Sequence, residues 1–130
     1  MTDKTKNSAF PKKEGLSHLF AALGYSLAGA KRLIRETASR HEIIAFLAAL
    51  LLFALVRASL FQFLGLIVLF LVLLAIEALN TAIEETVDYI SLETAQPAKH
   101  AKDLGSLAVF CMLFANGLYI LGVIVSRIWV

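Results

Sequence analysis

Glu77, Asn80, Glu84 and Asp88 fall within "IEALNTAIEETVD", which follows directly on the apolar run "FLGLIVLFLVLLAI". At about 100° per residue on a helix, Glu77 and Glu84 are seven residues apart and Asp88 comes four later. All three share one face, with Asn80 and Thr81 to either side of it. Two carboxylates roughly 10 Å apart along one stripe, with an amide between them, can hold a cation and its anionic ligand. An acid inside a membrane helix costs about 2.5 to 3.5 kcal/mol on insertion scales, so this stripe needs a compensating role. Read alone, it leaves three roles open: a polar seam between helices, a proton or ion pathway, and a catalytic metal site.

Other residues bear on that choice. Glu36 precedes the first apolar segment, and "KHAKDLGS" sets Lys102 and Asp103 at the start of the third. In antiparallel spans these groups meet the acid stripe at one membrane interface. Acids, an amide and a lysine gathered there are the toolkit of phosphoryl transfer from a magnesium nucleotide. No nucleotide loop accompanies them: in "GYSLAGAKR" the lysine arrives one residue late, the Ser or Thr is missing, and the context is an amphipathic helix. His18, His41 and His100 show no zinc-ligand spacing. Phosphate binding therefore falls to Lys102, the metal and a basic surface helix.

The elements that must position these groups are membrane spans. With 59% hydrophobic residues and a mean hydropathy of +0.79 over 130 residues, the chain is one small membrane-embedded domain. Three transmembrane helices are expected at about residues 40–57, 60–84 and 103–128, the polar stretch from Glu85 to Asp103 with its Pro97 forming a loop outside the membrane. Before them, Leu16, Phe20, Leu23, Leu27, Ala30 and Ile34 recur at helical spacing while His18, Lys31, Arg32 and Arg35 avoid the stripe. This predicts an amphipathic surface helix over about 16–36. Residues 1–13 read as a disordered tail. Cys111, the single cysteine, lies in an apolar run and is expected to be a small buried hydrophobe.

Lys4, Lys6, Lys12, Lys13, Lys31, Arg32, Arg35 and Arg40 precede the first span, and Lys99 and Lys102 lie in the loop, against only Arg57 and Arg127 on the other side. The positive-inside rule then puts the N-terminus in the cytoplasm and the C-terminus outside. No apolar h-region follows Met1, so no cleaved signal peptide is expected. A net charge of +2 gives no reason to expect a nucleic-acid partner.

"GYSLAG", "RETASRHE", "IEALNTAIEETVD" and "AKHAKDLGSLAV" occur in the order and at the spacing that resemble the small prokaryotic diacylglycerol kinases, over roughly residues 16–128. The resemblance implies an all-α integral membrane fold: a homotrimeric bundle of three-helix protomers, with active sites shared between neighbours in the bacterial inner membrane. It implies ATP-dependent phosphorylation of diacylglycerol to phosphatidic acid with Mg2+, or phosphorylation of undecaprenol as in the Gram-positive members. "KDLGSLAV" and the "RHE" ending at Glu42 look more like the diacylglycerol type. A proton-coupled transporter and a structural membrane subunit are the readings from other classes.

Matched residue by residue, Glu77 falls on the family's general base and Glu36 and Glu84 on its metal-binding acids. His18, Tyr25, Glu36, Asn80, Glu84, Glu93, Lys102 and Asp103 fall on nucleotide positions, and Arg40, Glu42, Glu77 and Ser106 on lipid positions. The chain departs from the pattern at His18, where an arginine is common, at Ser39, where an aromatic is common, and at "ETAQP", where a Tyr-His pair usually follows the glutamate.

Overall fold

The short link "VRAS" between two apolar runs leaves room only for a tight turn, and the chain makes one with well-defined chemistry. A computed structural model describes residues 15–90 and 95–129, which form four helices: α1 (Leu16–Leu33), α2 (Thr37–Leu55), α3 (Leu60–Ile90) and α4 (Gln96–Ile128). At the end of α2 the amide of Ala58 donates to Phe53 O at 2.8 Å and that of Arg57 to Ala54 O at 3.2 Å. This double closure is a Schellman motif, with Arg57 at φ 55° in the left-handed position that glycine usually takes. Two residues later α3 begins on a capping box. Ser59 Oγ accepts from the Gln62 amide at 3.2 Å, and Gln62 Oε1 accepts from the Ser59 amide at 2.8 Å.

The chain divides after Arg32 into two units. The first consists of α1 up to that residue. Within the chain it buries nothing: Leu16, Phe20, Leu23 and Leu27 all stand exposed along its apolar stripe. Lys31 and Arg32 occupy its last turn, where the helix dipole favours cations.

The second unit is a bundle of α2, α3 and α4, each long and apolar enough to cross a membrane. α3 and α4 run antiparallel and make most of the bundle's contacts. Their pairing is fixed at three levels. Tyr119 donates its hydroxyl to Gln62 O at 2.8 Å, Asn116 donates its amide to Leu69 O at 3.3 Å and to its own helix at Met112 O at 2.8 Å, and Gly105 packs on Asn80. Ala49, Phe53, Leu66 and Val123 form the core, with Phe63 set edge-on to Phe53 and Phe46 stacked on Phe70 at 4.0 Å. Most other large apolar side chains of the three helices face outward, as they must when the surroundings are lipid or neighbouring helices.

Three expectations change. The stretch 85–103, read as a loop, is helical on both flanks: α3 continues to Ile90, and Pro97 lies in the first turn of α4, where its missing amide costs nothing. α3 is thereby 31 residues, roughly 46 Å, longer than the bilayer's hydrocarbon core. The first helix stops at Leu33, so Glu36 is the N-cap of α2 instead of the last residue of α1. Cys111 is exposed on α4, because an apolar run in a small bundle has an outward face too. The N-terminal tail and Glu93 lie outside the described residues.

Candidate active site

Helical spacing alone carries the acids of α3 to one side, and packing decides which of them go inside. The buried face of α3 runs Leu66, Phe70, Leu73, Glu77, then continues half-buried through Asn80, Thr81 and Glu84. Glu77, at 7% exposure, therefore occupies a core position in a row with two leucines and a phenylalanine. An ordinary amphipathic helix would place an aliphatic residue there.

What faces it is a second acid. Glu42, one turn into α2 and 8% exposed, brings its carboxyl to hydrogen-bonding range of the Glu77 carboxyl, while its Oε2 is buried with no hydrogen-bond partner among the described residues. Ser39, three residues earlier on the same face, is fully buried and its hydroxyl likewise has no partner among the described residues. Buried polar atoms are almost always satisfied, so oxygens gathered here with hydrogen-bonding capacity to spare make this a candidate binding site. Below Glu42 a cleft of ≈ 200 Å³, lined by Phe46, Phe70, Leu73, Asn116 and Ile120 among others, continues the site into apolar surroundings.

One turn along α3 from Glu77, Asn80 Nδ2 donates to Glu84 Oε1 at 3.2 Å, and its own Oδ1 is buried against Gly105 of α4 without a partner among the described residues. A Cβ on Gly105 would stand 2.1 Å from that oxygen, so only glycine leaves the amide its seat. Farther along, Asp88 Oδ1 pairs with Lys102 Nζ across α3 and α4.

Of the residues singled out in the sequence, the fold thus joins Glu42 to Glu77, Asn80 to Glu84, and Lys102 to the Asp88 of the stripe. Glu36 is half-buried at the α2 N-cap, Arg40 is exposed with Nη2 donating to Thr37 Oγ1 at 3.3 Å, and Asp103 and Ser106 are exposed on α4. His18 and Tyr25 stand exposed on α1. Among the described residues no three Asp, Glu, His or Cys side chains gather around a common point. Mg2+ is commonly held by one or two carboxylates together with substrate phosphates, so Glu84, fixed by Asn80, suits a metal that arrives with a nucleotide.

Sequence reasoning missed two contributors. Gly105 was hidden in "KDLGS" because a glycine's value lies in its neighbour. Asn116, a lone amide in an apolar span, carried the usual signal of an interhelical hydrogen bond.

Three apolar helices with a buried pair of acids and an acid–amide pair set toward one end define an integral membrane protein with a polar site inside its bundle. Comparison with known proteins sharpens that class. The family model "Prokaryotic diacylglycerol kinase" matches residues 24–125. A diacylglycerol kinase of Sinorhizobium sp is 56% identical over 83% of this chain and 79% of its own length. Those of Pseudomonas aeruginosa and Haemophilus influenzae are 38% and 39% identical, each over 82% of this chain and 87% and 92% of their own lengths. The chain belongs to the prokaryotic diacylglycerol kinase family, and it is a membrane kinase. The ion-pathway and structural-subunit alternatives left by the acid stripe alone fall away. Every residue proposed for the site lies within the matched span except His18.

Proposed function

We propose that the chain transfers the γ-phosphoryl group of ATP to the hydroxyl of diacylglycerol at the inner membrane, with Mg2+ as the metal. The observation that carries this reading is the buried Glu77, set against Glu42 at the head of an apolar cleft and one turn from the Asn80–Glu84 pair. A lipid hydroxyl cannot travel far from the bilayer, so the group that takes its proton has to lie within the bundle, as Glu77 does.

In this reading Glu77 accepts the hydroxyl proton as the oxygen attacks the γ-phosphorus. The bond from that phosphorus to the bridging oxygen breaks, and ADP leaves. Glu36 and Glu84 would hold Mg2+, which would offset the charge of the phosphates. Asn80 keeps Glu84 aimed, and Lys102 and Asp103 meet the nucleotide. Tyr25, His18 and Glu93 are its remaining contacts, while Arg40, Glu42 and Ser106 meet the lipid. The relatives' shared name supports diacylglycerol over undecaprenol as acceptor.

The excess of lysine and arginine before α2 supports a cytoplasmic N-terminus and α3–α4 connection, with the C-terminus outside. A homotrimer accounts for the exposed apolar faces of the helices and for a site where no three acids converge among the described residues of one chain. The test is purified protein in mixed micelles with diacylglycerol and labelled ATP. Transfer of label to the lipid is expected only with Mg2+. Transfer to undecaprenol alone overturns the substrate, and transfer to no lipid alcohol overturns the reading.

A further inference from the structure

Asp88 lies on the acid stripe one turn beyond Glu84, and no step above uses it. Its carboxylate is committed to Lys102, a residue on the neighbouring helix. Asn80 is level with Gly105 across antiparallel α3 and α4, so Lys102, three residues before Gly105, has its backbone near the level of residue 83. Asp88 stands five residues, roughly 7 Å, farther toward the α3–α4 connection. The lysine side chain must therefore lean toward that connection to make the pair. Its ammonium comes to rest about one helical turn beyond Glu84.

We propose that Asp88 is a positioning residue that holds the Lys102 ammonium over the non-transferred phosphates of the nucleotide. The inference rests on the reading of Lys102 as a nucleotide contact. With the γ-phosphate between Glu84 and Glu77, the rest of the triphosphate extends along the stripe toward the α3–α4 connection. The whole triphosphate spans little more than one helical turn, so a cation one turn beyond Glu84 stands at its far end, beside the phosphate most remote from the one transferred.

A lysine on a flexible four-carbon stem has much rotamer freedom to lose on binding, and a carboxylate partner on another helix removes part of that loss in advance. Protein kinases divide the work the same way, with a lysine on the nucleotide phosphates paired to a glutamate from a separate helix. Asp88 also repels phosphate. Both members of the pair are partly exposed, so water and salt weaken the longer-range repulsion of a phosphate by Asp88 more than they weaken its direct contact with the ammonium.

The full chain in mixed micelles tests this by equilibrium binding of a non-hydrolysable ATP analogue with Mg2+, beside steady-state kinetics. Asp88→Asn is expected to raise both Kd and the KM for ATP about fivefold, the upper range for a partly exposed ion pair, with a smaller change in kcat. Asp88→Glu should recover most of the loss. In a Lys102→Met background, Asp88→Asn should add nothing.

Tighter nucleotide binding by Asp88→Asn would make the pair a latch and overturn the proposal. An undiminished fivefold loss in the Lys102→Met background would do so as well, because Asp88 would then act apart from the lysine. If Lys102→Met itself leaves analogue binding unchanged, the nucleotide reading of Lys102 fails, and this inference fails with it by a separate arm.

Discussion

The two ends of the helical bundle solve their polar chemistry in opposite ways. At the end built by the α2–α3 turn, each of the side chains that tie the helices together has a partner. Ser59 and Gln62 cap each other, Gln62 Oε1 also accepts from Arg127 Nε at 2.9 Å, and the Tyr119 hydroxyl reaches Gln62 O. At the end near the α3–α4 connection, Ser39 Oγ, Glu42 Oε2 and Asn80 Oδ1 are buried with no partner among the described residues. The same chain thus closes one end and leaves the other short of partners. Unsatisfied buried groups cost stability, so their concentration at one end agrees with placing the proposed site there.

The sharpest way to break this comparison is to neutralise the deepest acid. Glu77→Gln keeps the shape and a hydrogen-bonding end but removes the basic oxygen. A positioned base contributes typically about 10² to 10⁴ in rate, so turnover should fall by at least about 10²-fold while ATP affinity changes little. The variant should fold at least as well as the wild type, because an amide beside Glu42 is easier to bury than a second acid. Turnover near that of the wild type with intact assembly would show that another group takes the proton.

Two glycines sharpen the comparison, because each seats a polar side chain on the opposite helix. A Cβ at Gly65 would lie 2.3 Å from the Tyr119 hydroxyl, and one at Gly105 would lie 2.1 Å from Asn80 Oδ1. Gly65→Ala displaces a tyrosine whose only visible role is to tie α4 to α3. It should lower the unfolding free energy by about 1 to 3 kcal/mol and leave the turnover of the folded fraction unchanged. Gly105→Ala displaces the amide that aims Glu84, so it should raise the Mg2+ concentration for half-maximal rate and lower turnover by about tenfold or more. Equal effects of the two substitutions on turnover would mean that Gly105 serves packing alone.

Much of this was legible in the residues. The acid stripe of α3 follows from helical spacing, the three spans from apolar runs, and the tight α2–α3 turn from the shortness of "VRAS". What spacing could not supply was the partner of each group. Glu42 sits among charged neighbours in "RHE", and nothing local shows that it turns inward to Glu77 while Arg40 and His41 turn out. Asp88 and Lys102 are fourteen positions apart, and their pairing depends on the register of two antiparallel helices, which Gly105 and Asn116 set. The extent of α3 was underestimated because a polar sequence continues a helix beyond a bilayer as readily as it ends one.

The smallest expected effect lies at the satisfied end, at Arg57. Its φ of 55° places a side chain where only glycine is free of strain, and for an L-residue that conformation costs roughly 1 to 2 kcal/mol. Arg57→Gly removes the strain but gives the unfolded chain more freedom and takes away a cation suited to the membrane interface. The two losses offset part of the gain. A net stabilisation of about 0.5 kcal/mol is expected in detergent-induced unfolding, with turnover unchanged because the proposed site is at the other end of α3. Arg57→Asn, a residue that tolerates the left-handed region, separates the terms: it relieves most of the strain without loosening the unfolded chain. If both variants unfold more easily than the wild type, the guanidinium's hold on the membrane interface outweighs the backbone, and Arg57 anchors the bundle more than it strains it.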